Sequence, residues 1–134
     1  MGAVRWDDIP DEFVRPGVRR RGFGTERCLL VMNECTPGMD LRPHVHDFDQ
    51  IALVVSGTAN YYVGDERNEM GPGSLLLIPA GREHYIEPTG DEPVRNIDVF
   101  APLRQDLAHL LTWMRTPEPG SERLAGDVGD QGPA

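Results

Sequence analysis

Short apolar runs separated by turn residues are the feature that most constrains the fold of this 134-residue chain. Several runs have strand length and carry β-branched or aromatic residues, namely 27–35, 50–57, 59–64, 74–79 and 95–101. Gly, Pro and Asp cluster between the runs and indicate turns. Evenly spaced short strands joined by such turns are typical of an antiparallel sandwich or barrel, so we predict an all-β domain.

The C-terminal part of the sequence predicts one short helix and a tail. Apolar residues recur at helical spacing after Pro102, a residue suited to a first helical turn: Leu103, Leu107, Leu110 and Met114. His109 lies on this predicted helix, and we expect it at the surface. Beyond the helix, Gly, Pro and acidic residues dominate. We therefore predict a domain over 1–115 and a flexible acidic tail over 116–134.

Composition excludes several classes of function. The net charge is −9, whereas a protein that neutralises phosphates needs a basic face, so we expect no nucleic-acid partner. All 13 basic residues are Arg, which excludes lysine nucleophiles and Schiff bases. We interpret the run Arg19-Arg20-Arg21 as part of a solvated edge strand. Cys28 and Cys35 are expected to be reduced, buried thiols.

The N-terminal sequence and the hydropathy pattern bear on location. Residues 1–13 carry acidic groups where a signal peptide needs a basic and then an apolar stretch. No apolar run reaches membrane-spanning length. We therefore expect a cytoplasmic protein with no membrane partner.

Three of the four histidines fall in one pattern with a glutamine. His44 and His46 are two residues apart, so on a strand they point to the same face. Gln50 follows four residues later and keeps the same parity. His84 comes after two further predicted strands and a turn at Pro79-x-Gly81. Two imidazoles from one segment and a third from another form the kind of ligand set that a barrel offers to a metal.

Two spacings resemble the two sequence motifs of the cupins: Gly38-x5-His44-x-His46-x3-Gln50-x6-Gly57 and Gly73-x5-Pro79-x-Gly81-x2-His84. The resemblance implies a double-stranded β-helix, the jelly-roll barrel of that family. It also implies one divalent metal ion on His44, His46, Gln50 and His84. Imidazole ligands leave the metal open among Zn, Ni, Mn, Fe and Co. The sequence departs from the motifs at Gln50, where Glu is usual, and at Pro88, where Asn is common.

The glutamine has a chemical consequence if it binds the metal. Replacing Glu by Gln removes a negative charge, so the metal becomes a stronger Lewis acid toward an incoming oxygen anion. An oxidised metal is then less favourable, and oxygen activation is less expected. Two alternatives stay open. Gln50 could instead bond a ligand without touching metal, and the barrel could be a cupin that has lost its metal.

The segment from Asp98 to Arg104 resembles the last strand of small cupins that open unsaturated uronates from pectin and alginate breakdown. Those proteins also use three His and one Gln. The resemblance implies that Asp98 transfers protons, that Phe100 shapes the substrate pocket and that Arg104 helps to bind an acid. Alternatively, Asp98 is an exposed sheet residue paired with Arg95 or Arg104. The same metal set resembles that of aromatic polyketide cyclase cupins, which close rings on enolisable polyketones.

These patterns favour a metal-dependent enzyme that acts on a small carbonyl or carboxylate compound without redox chemistry, as an isomerase, cyclase or lyase. One alternative is a metal-dependent cupin dioxygenase. The other is a barrel that binds a small molecule without catalysis. Family resemblance also implies a homodimer.

Overall fold

A computed structural model describes residues 1–115, and the predicted tail lies outside the described residues. The described chain forms the following strands: β1 Glu12–Arg15, β2 Val18–Gly24, β3 Leu29–Cys35, β4 Gln50–Ser56, β5 Ala59–Val63, β6 Glu66–Met70, β7 Leu75–Ile78, β8 His84–Pro88 and β9 Val94–Phe100. A single 3₁₀ turn, Trp6–Asp8, precedes the strands, and a 3₁₀ helix, Gln105–Arg115, follows them. We call the latter the C-terminal helix.

The strands form two antiparallel sheets, which confirms the predicted all-β class. The larger sheet has the order β1-β2-β3-β9-β4-β7, and the smaller has the order β6-β5-β8. The register across the large sheet places Asp98 of β9 beside Val31 of β3 and Ala52 of β4. In the same way Asn96 is the partner of Asn33. Polar side chains of neighbouring strands are thereby brought together on one face.

The arginine run lies on β2 and alternates as expected, but the interpretation of an edge strand is wrong. Strand β2 pairs with β1 on one side and β3 on the other, so β1 is the edge. Arg19 is exposed, whereas Arg20 lines the internal cavity and donates from Nε to Glu12 at 2.6 Å. The cause is the β1 hairpin partner, which covers the edge that β2 would otherwise expose.

Two buried apolar clusters stabilise the molecule. One fills the barrel between the sheets: Val18, Cys35, Met39, Ala52, Val54, Ala59, Tyr61, Val63, Met70, Ile78 and Val94. The other lies between the large sheet and the C-terminal helix: Leu29, Val31, Phe100, Leu103, Leu107, Leu110 and Leu111. Buried apolar surface of this kind contributes about 25 cal/mol per Å². The helix is therefore part of the folded core.

Gly22 allows the C-terminal helix to approach β2 closely. A Cβ atom at this position would lie 2.6 Å from the Cβ of Leu110, which is too short for a contact between two non-bonded carbon atoms. Trp113 also donates from Nε1 to the carbonyl of Gly22 at 2.9 Å. The predicted helix is thus present, although it has 3₁₀ rather than α geometry. His109 is exposed on it, as expected, with Nε2 2.8 Å from Glu12.

The outward face of β4 and β7 is apolar and exposed. Ile51 pairs with Leu77, and Leu53 pairs with Leu75, so these side chains share one face. The exposed fractions of Leu75 and Leu77 are 72% and 59%.

Both cysteines are free; Cys35 is buried and Cys28 is half-buried. Burial raises the pKa of the Cys35 thiol to about 12. Within the described residues, no helix has the length and apolar character that crossing a membrane requires.

Candidate metal centre

A backbone bridge brings two of the histidines together. His44 and His84 exchange backbone hydrogen bonds of 3.1 and 2.9 Å in an isolated β-bridge. The expectation that His44 and His46 lie on a strand is wrong, because the segment before β4 is irregular apart from this bridge. The imidazoles of His44, His46 and His84 nevertheless converge, with one nitrogen of each within 4.8 Å of the others.

Backbone carbonyls orient two of these rings. Nδ1 of His44 lies 2.7 Å from the carbonyl oxygen of Arg42, and Nδ1 of His84 lies 2.9 Å from that of Arg82. A carbonyl only accepts, so each Nδ1 carries a proton, and in the neutral form of the ring Nε2 then keeps its lone pair. Ligating histidines commonly use such an outer hydrogen bond to fix their tautomer. Nε2 of His84 is buried and has no hydrogen-bond partner among the described residues.

Gln50 lines the same cavity as the three histidines. It is the first residue of β4 and is 4% exposed. Its Nε2 donates to Oδ1 of Asp98 at 2.8 Å, while its buried Oε1 has no partner in the part of the chain described. Because Nε2 of Gln50 points toward the Asp98 carboxylate, Oε1 of the same amide points away from it and is free to bind another group. Buried polar atoms without partners are rare in native proteins, and each needs an explanation.

We call this set, His44, His46, His84 and Oε1 of Gln50, the histidine face. Its donors are neutral nitrogens and one amide oxygen, which suit the divalent ions of the Zn, Ni, Mn, Fe and Co group. The two orphaned atoms, Nε2 of His84 and Oε1 of Gln50, are those that a bound cation would satisfy. The residues present therefore fit a metal ion.

Asp98 lies beside the histidine face within a set of amides that we call the amide cradle. Its members are the side chains that donate to the Asp98 carboxylate: Asn33 at 2.9 Å, Gln50 at 2.8 Å and Asn96 at 3.2 Å. Asn96 also donates to the hydroxyl of Tyr61 at 2.7 Å. The alternative pairing of Asp98 with Arg95 or Arg104 is not observed, because these arginines pair with Asp7 and Asp106.

Burial shifts the pKa values of several of these groups. It raises the pKa of Asp98 to about 6, against the lowering effect of the amide hydrogen bonds and of Arg104. It lowers the pKa of His46 to about 4, the charges of His44 and Arg104 act in the same direction, and the nearby side chain of Gln50 opposes them. Burial also lowers the pKa of His84. His46 and His84 are therefore held in the neutral form that binds metals.

Aromatic rings and Arg104 lie next to the histidines. The ring of Phe48 stacks on His46 with centroids 4.7 Å apart, and Phe100 meets Phe48 edge-on at 5.7 Å. The Cζ atom of Arg104 is 4.8 Å from the Phe100 centroid and 5.1 Å from that of Phe48. Its guanidinium also pairs with Asp106. Such cation–π contacts orient a guanidinium while leaving part of it free.

A cavity of about 160 Å³ joins these groups. The histidine face, the amide cradle and Phe100 line it, together with Arg15, Arg20 and Arg104. Pockets for drug-sized ligands occupy roughly 300–1,000 Å³, so this one suits a small molecule.

Sequence reasoning missed Asn33, Asn96, Phe48 and Arg15. The asparagines had a signal, since both are polar residues that share the parity of the buried apolar residues in their strands.

Comparisons with known proteins agree with this geometry. The family model described as "Cupin domain" matches residues 32–100. KdgF from a Halomonas species is similar in structure, with a TM-score of 0.70 and 25% identity over 80% of this chain and 99% of that chain. The polyketide cyclase RemF from Streptomyces resistomycificus gives a TM-score of 0.66 and 28% identity over 78% of this chain and 80% of that one.

Among curated proteins, an acireductone dioxygenase from Sulfurihydrogenibium is 30% identical over 91 residues, 60% of this chain and 50% of that protein. The chain spans about half the length of the curated relatives it matches. The fold, the motif spacing and the family match agree, and the chain belongs to the cupin domain family.

Proposed function

We propose that this protein is a metal-dependent enzyme that acts on a small carbonyl or carboxylate compound by Lewis-acid and proton-transfer chemistry without redox, as an isomerase, cyclase or lyase. One observation carries the proposal. Nε2 of His84 and Oε1 of Gln50 lack partners within residues 1–115 and line the same cavity as the carboxylate of Asp98.

The roles follow from the positions of the side chains. A divalent ion on the histidine face would supply Lewis acidity. The amides of Asn33, Gln50 and Asn96 hold Asp98 in one position, from which its carboxylate exchanges a proton with a ligand in the cavity. Phe100 forms part of the wall, and Arg104 attracts an acidic ligand to the cavity.

Two resemblances support the non-redox reaction. RemF, whose fold this chain shares, is a polyketide cyclase by name, and ring closure needs no oxidant. The likeness of residues 98–104 to the uronate-opening cupins points in the same direction. We therefore propose unsaturated uronates and enolisable polyketones as the first substrates to test.

The similarity to an acireductone dioxygenase supports a second candidate, a metal-dependent dioxygenase. It differs in requiring a redox metal and molecular oxygen. A measurement of oxygen uptake therefore separates the two.

The test is to strip the purified protein of metal, to reload it with Zn, Ni, Mn, Fe or Co in turn, and to assay both substrate classes with an oxygen electrode. We expect turnover with Zn or Ni and no oxygen uptake. Asp98→Asn should keep the metal and lose turnover by about a hundredfold. Asp47→Asn removes the same charge from an exposed residue outside the cavity wall and is the matched control. Turnover that requires Fe and consumes oxygen would support the dioxygenase, and a protein that retains none of these metals would contradict both.

We further propose a homodimer that uses the apolar outward face of β4 and β7. Leu75 and Leu77 are largely exposed there, and β7 is an edge strand. Clusters of exposed apolar side chains are typical of protein interfaces. Sedimentation velocity should give twice the mass of the chain, and the mass of one chain at all concentrations would contradict the proposal.

A further inference from the structure

Arg15 is the unusual cation of the cavity wall. It is the last residue of the edge strand β1, and it lines the same cavity as the histidine face. Its Nε atom is buried and has no hydrogen-bond partner among residues 1–115, where Arg15 also forms no ion pair. The two other arginines of the wall each pair with an acidic side chain, Arg20 with Glu12 and Arg104 with Asp106.

The surroundings of Arg15 do not compensate its charge. Burial lowers its pKa, and the positive charges of Arg42 and Arg20 act in the same direction. The carboxylate of Asp40 opposes this shift, but no ion pair joins it to Arg15 among the described residues. A guanidinium stays protonated in proteins. Holding such a cation partly desolvated and unpaired costs free energy, which an anionic ligand would offset.

We propose that Arg15 binds a carboxylate of the substrate. The ligand then spans the cavity, with a carbonyl or carboxylate oxygen at the histidine face and a second, distal carboxylate on Arg15. A planar guanidinium can hold a carboxylate by two parallel hydrogen bonds. This inference rests on the proposed function and narrows its substrate class to small compounds with an acidic group at the end remote from the reacting oxygen.

Binding of matched keto acids tests the proposal without an assay of turnover. The probes are α-ketoglutarate and α-ketoadipate, each compared with the monocarboxylate of equal chain length, α-ketovalerate and α-ketocaproate. Affinities are measured by calorimetry on Co-loaded protein. At the better-fitting length, the parent should prefer the dicarboxylate by about tenfold or more, as expected for a charged hydrogen-bonded pair.

Variants at residue 15 should remove that preference alone. Arg15→Met keeps much of the aliphatic stem and should bind the dicarboxylate and the monocarboxylate equally, while Arg15→Lys should retain part of the preference. Arg27→Gln removes an exposed arginine that does not line the cavity and is the matched control. Its effect should be less than about twofold, because solvent and salt screen an exposed charge.

A second readout separates binding from a structural role. Since Arg15→Met removes an unpaired, partly desolvated cation, its Tm should stay equal to or rise above that of the parent. A clear fall in Tm would make Arg15 structural and overturn the proposal. So would equal affinities of each probe pair for the parent, or a preference that Arg15→Met retains. The Co content of the same samples reports on the histidine face independently, so loss of metal identifies a failure of the proposed function instead.

Discussion

The histidine face and the amide cradle share one residue, Gln50, and one cavity, yet their hydrogen bonding is opposite. In the amide cradle, the Asp98 carboxylate accepts from three amides, and Asn96 has a further partner in Tyr61. In the histidine face, the outer nitrogens of His44 and His84 are bonded to carbonyls, while Nε2 of His84 and Oε1 of Gln50 have no partner in the described chain. One region is complete in itself, and the other is completed by a ligand.

This difference separates the consequences of mutation. Breaking a satisfied buried network leaves its other members unpaired, so the cost appears in the stability of the protein. Removing an atom that has no protein partner removes nothing from the folded network. The cost of removing such an atom should appear in the affinity for the ligand that it binds.

The largest effect that we expect is on metal binding, from His84→Ala. Loss of a residue that hydrogen-bonds a ligand typically lowers metal affinity by about 10–100-fold. Loss of the ligand itself should cost more, so we expect metal affinity to fall by more than about a hundredfold. The measurement is competition with a chelator of known affinity. His44→Ala and His46→Ala should behave alike. Metal-free His84→Ala should still unfold cooperatively, because the apolar core does not depend on the site.

The matched control is His109→Ala, which removes an exposed imidazole from the C-terminal helix. It should bind metal as the parent does. Unchanged affinity in His84→Ala would remove the distinction between the two regions.

The next effect is on stability, from Asn96→Ala in the amide cradle. Asn96 is 2% exposed and bonds both Tyr61 and Asp98, so its loss removes a donor from the buried Tyr61 hydroxyl and one of three from the Asp98 carboxylate. We expect the free energy of unfolding to fall by about 1–3 kcal/mol, with metal affinity nearly unchanged. Urea denaturation measures the first quantity and chelator competition the second.

Asn60→Ala is the control, since Asn60 lies on β5 with its side chain only partly buried. This variant should change the free energy of unfolding by no more than about 0.5 kcal/mol. If Asn96→Ala impaired metal binding more than stability, the amide cradle would have to be regarded as part of the metal site.

The smallest effect should come from the shared residue. Gln50→Glu adds a negative charge to the histidine face. It also removes the amide N–H that donates a hydrogen bond to Asp98. Metal affinity should be kept or increased. Turnover should fall by about tenfold, or about 1.4 kcal/mol in the barrier, because the site attracts an anionic oxygen less strongly.

Gln105→Glu adds the same charge at the exposed start of the C-terminal helix and should leave turnover unchanged. Steady-state kinetics on whichever of the proposed substrates is turned over measures both variants. If Gln50→Glu is as active as the parent, the neutral amide has no chemical role.

Much of this architecture could be predicted because apolar alternation marks strands that are buried on one side. The predicted runs correspond to β3, β4, β5, β7 and β9. Strand β6 was missed because its sequence is ERNEM, with only Met70 buried. Strand β8 was missed because its buried position is His84, a polar residue that gives no apolar signal.

The candidate site divides in a similar way. Fixed spacing to glycine turns made His44, His46, Gln50 and His84 visible in the sequence. Asn33 and Asn96 depend on the register of β3 against β9, which a single sequence does not specify. Arg15 is still less predictable, because its importance lies in the lack of a partner among the described residues in three dimensions. The roles assigned to Asp98, Phe100 and Arg104 stay predictions.

The cavity wall has a consequence for how such proteins diverge. The histidine face, the amide cradle and Phe100 all lie within residues 32–100, the segment by which the family is recognised. Arg15 and Arg20 precede that segment, while Arg104 and Leu107 follow it, yet all four line the cavity. The matched segment carries the histidine face and the amide cradle, and the two flanking segments add charged and apolar side chains to the wall around them. Two members can therefore keep identical motifs and still accept different molecules.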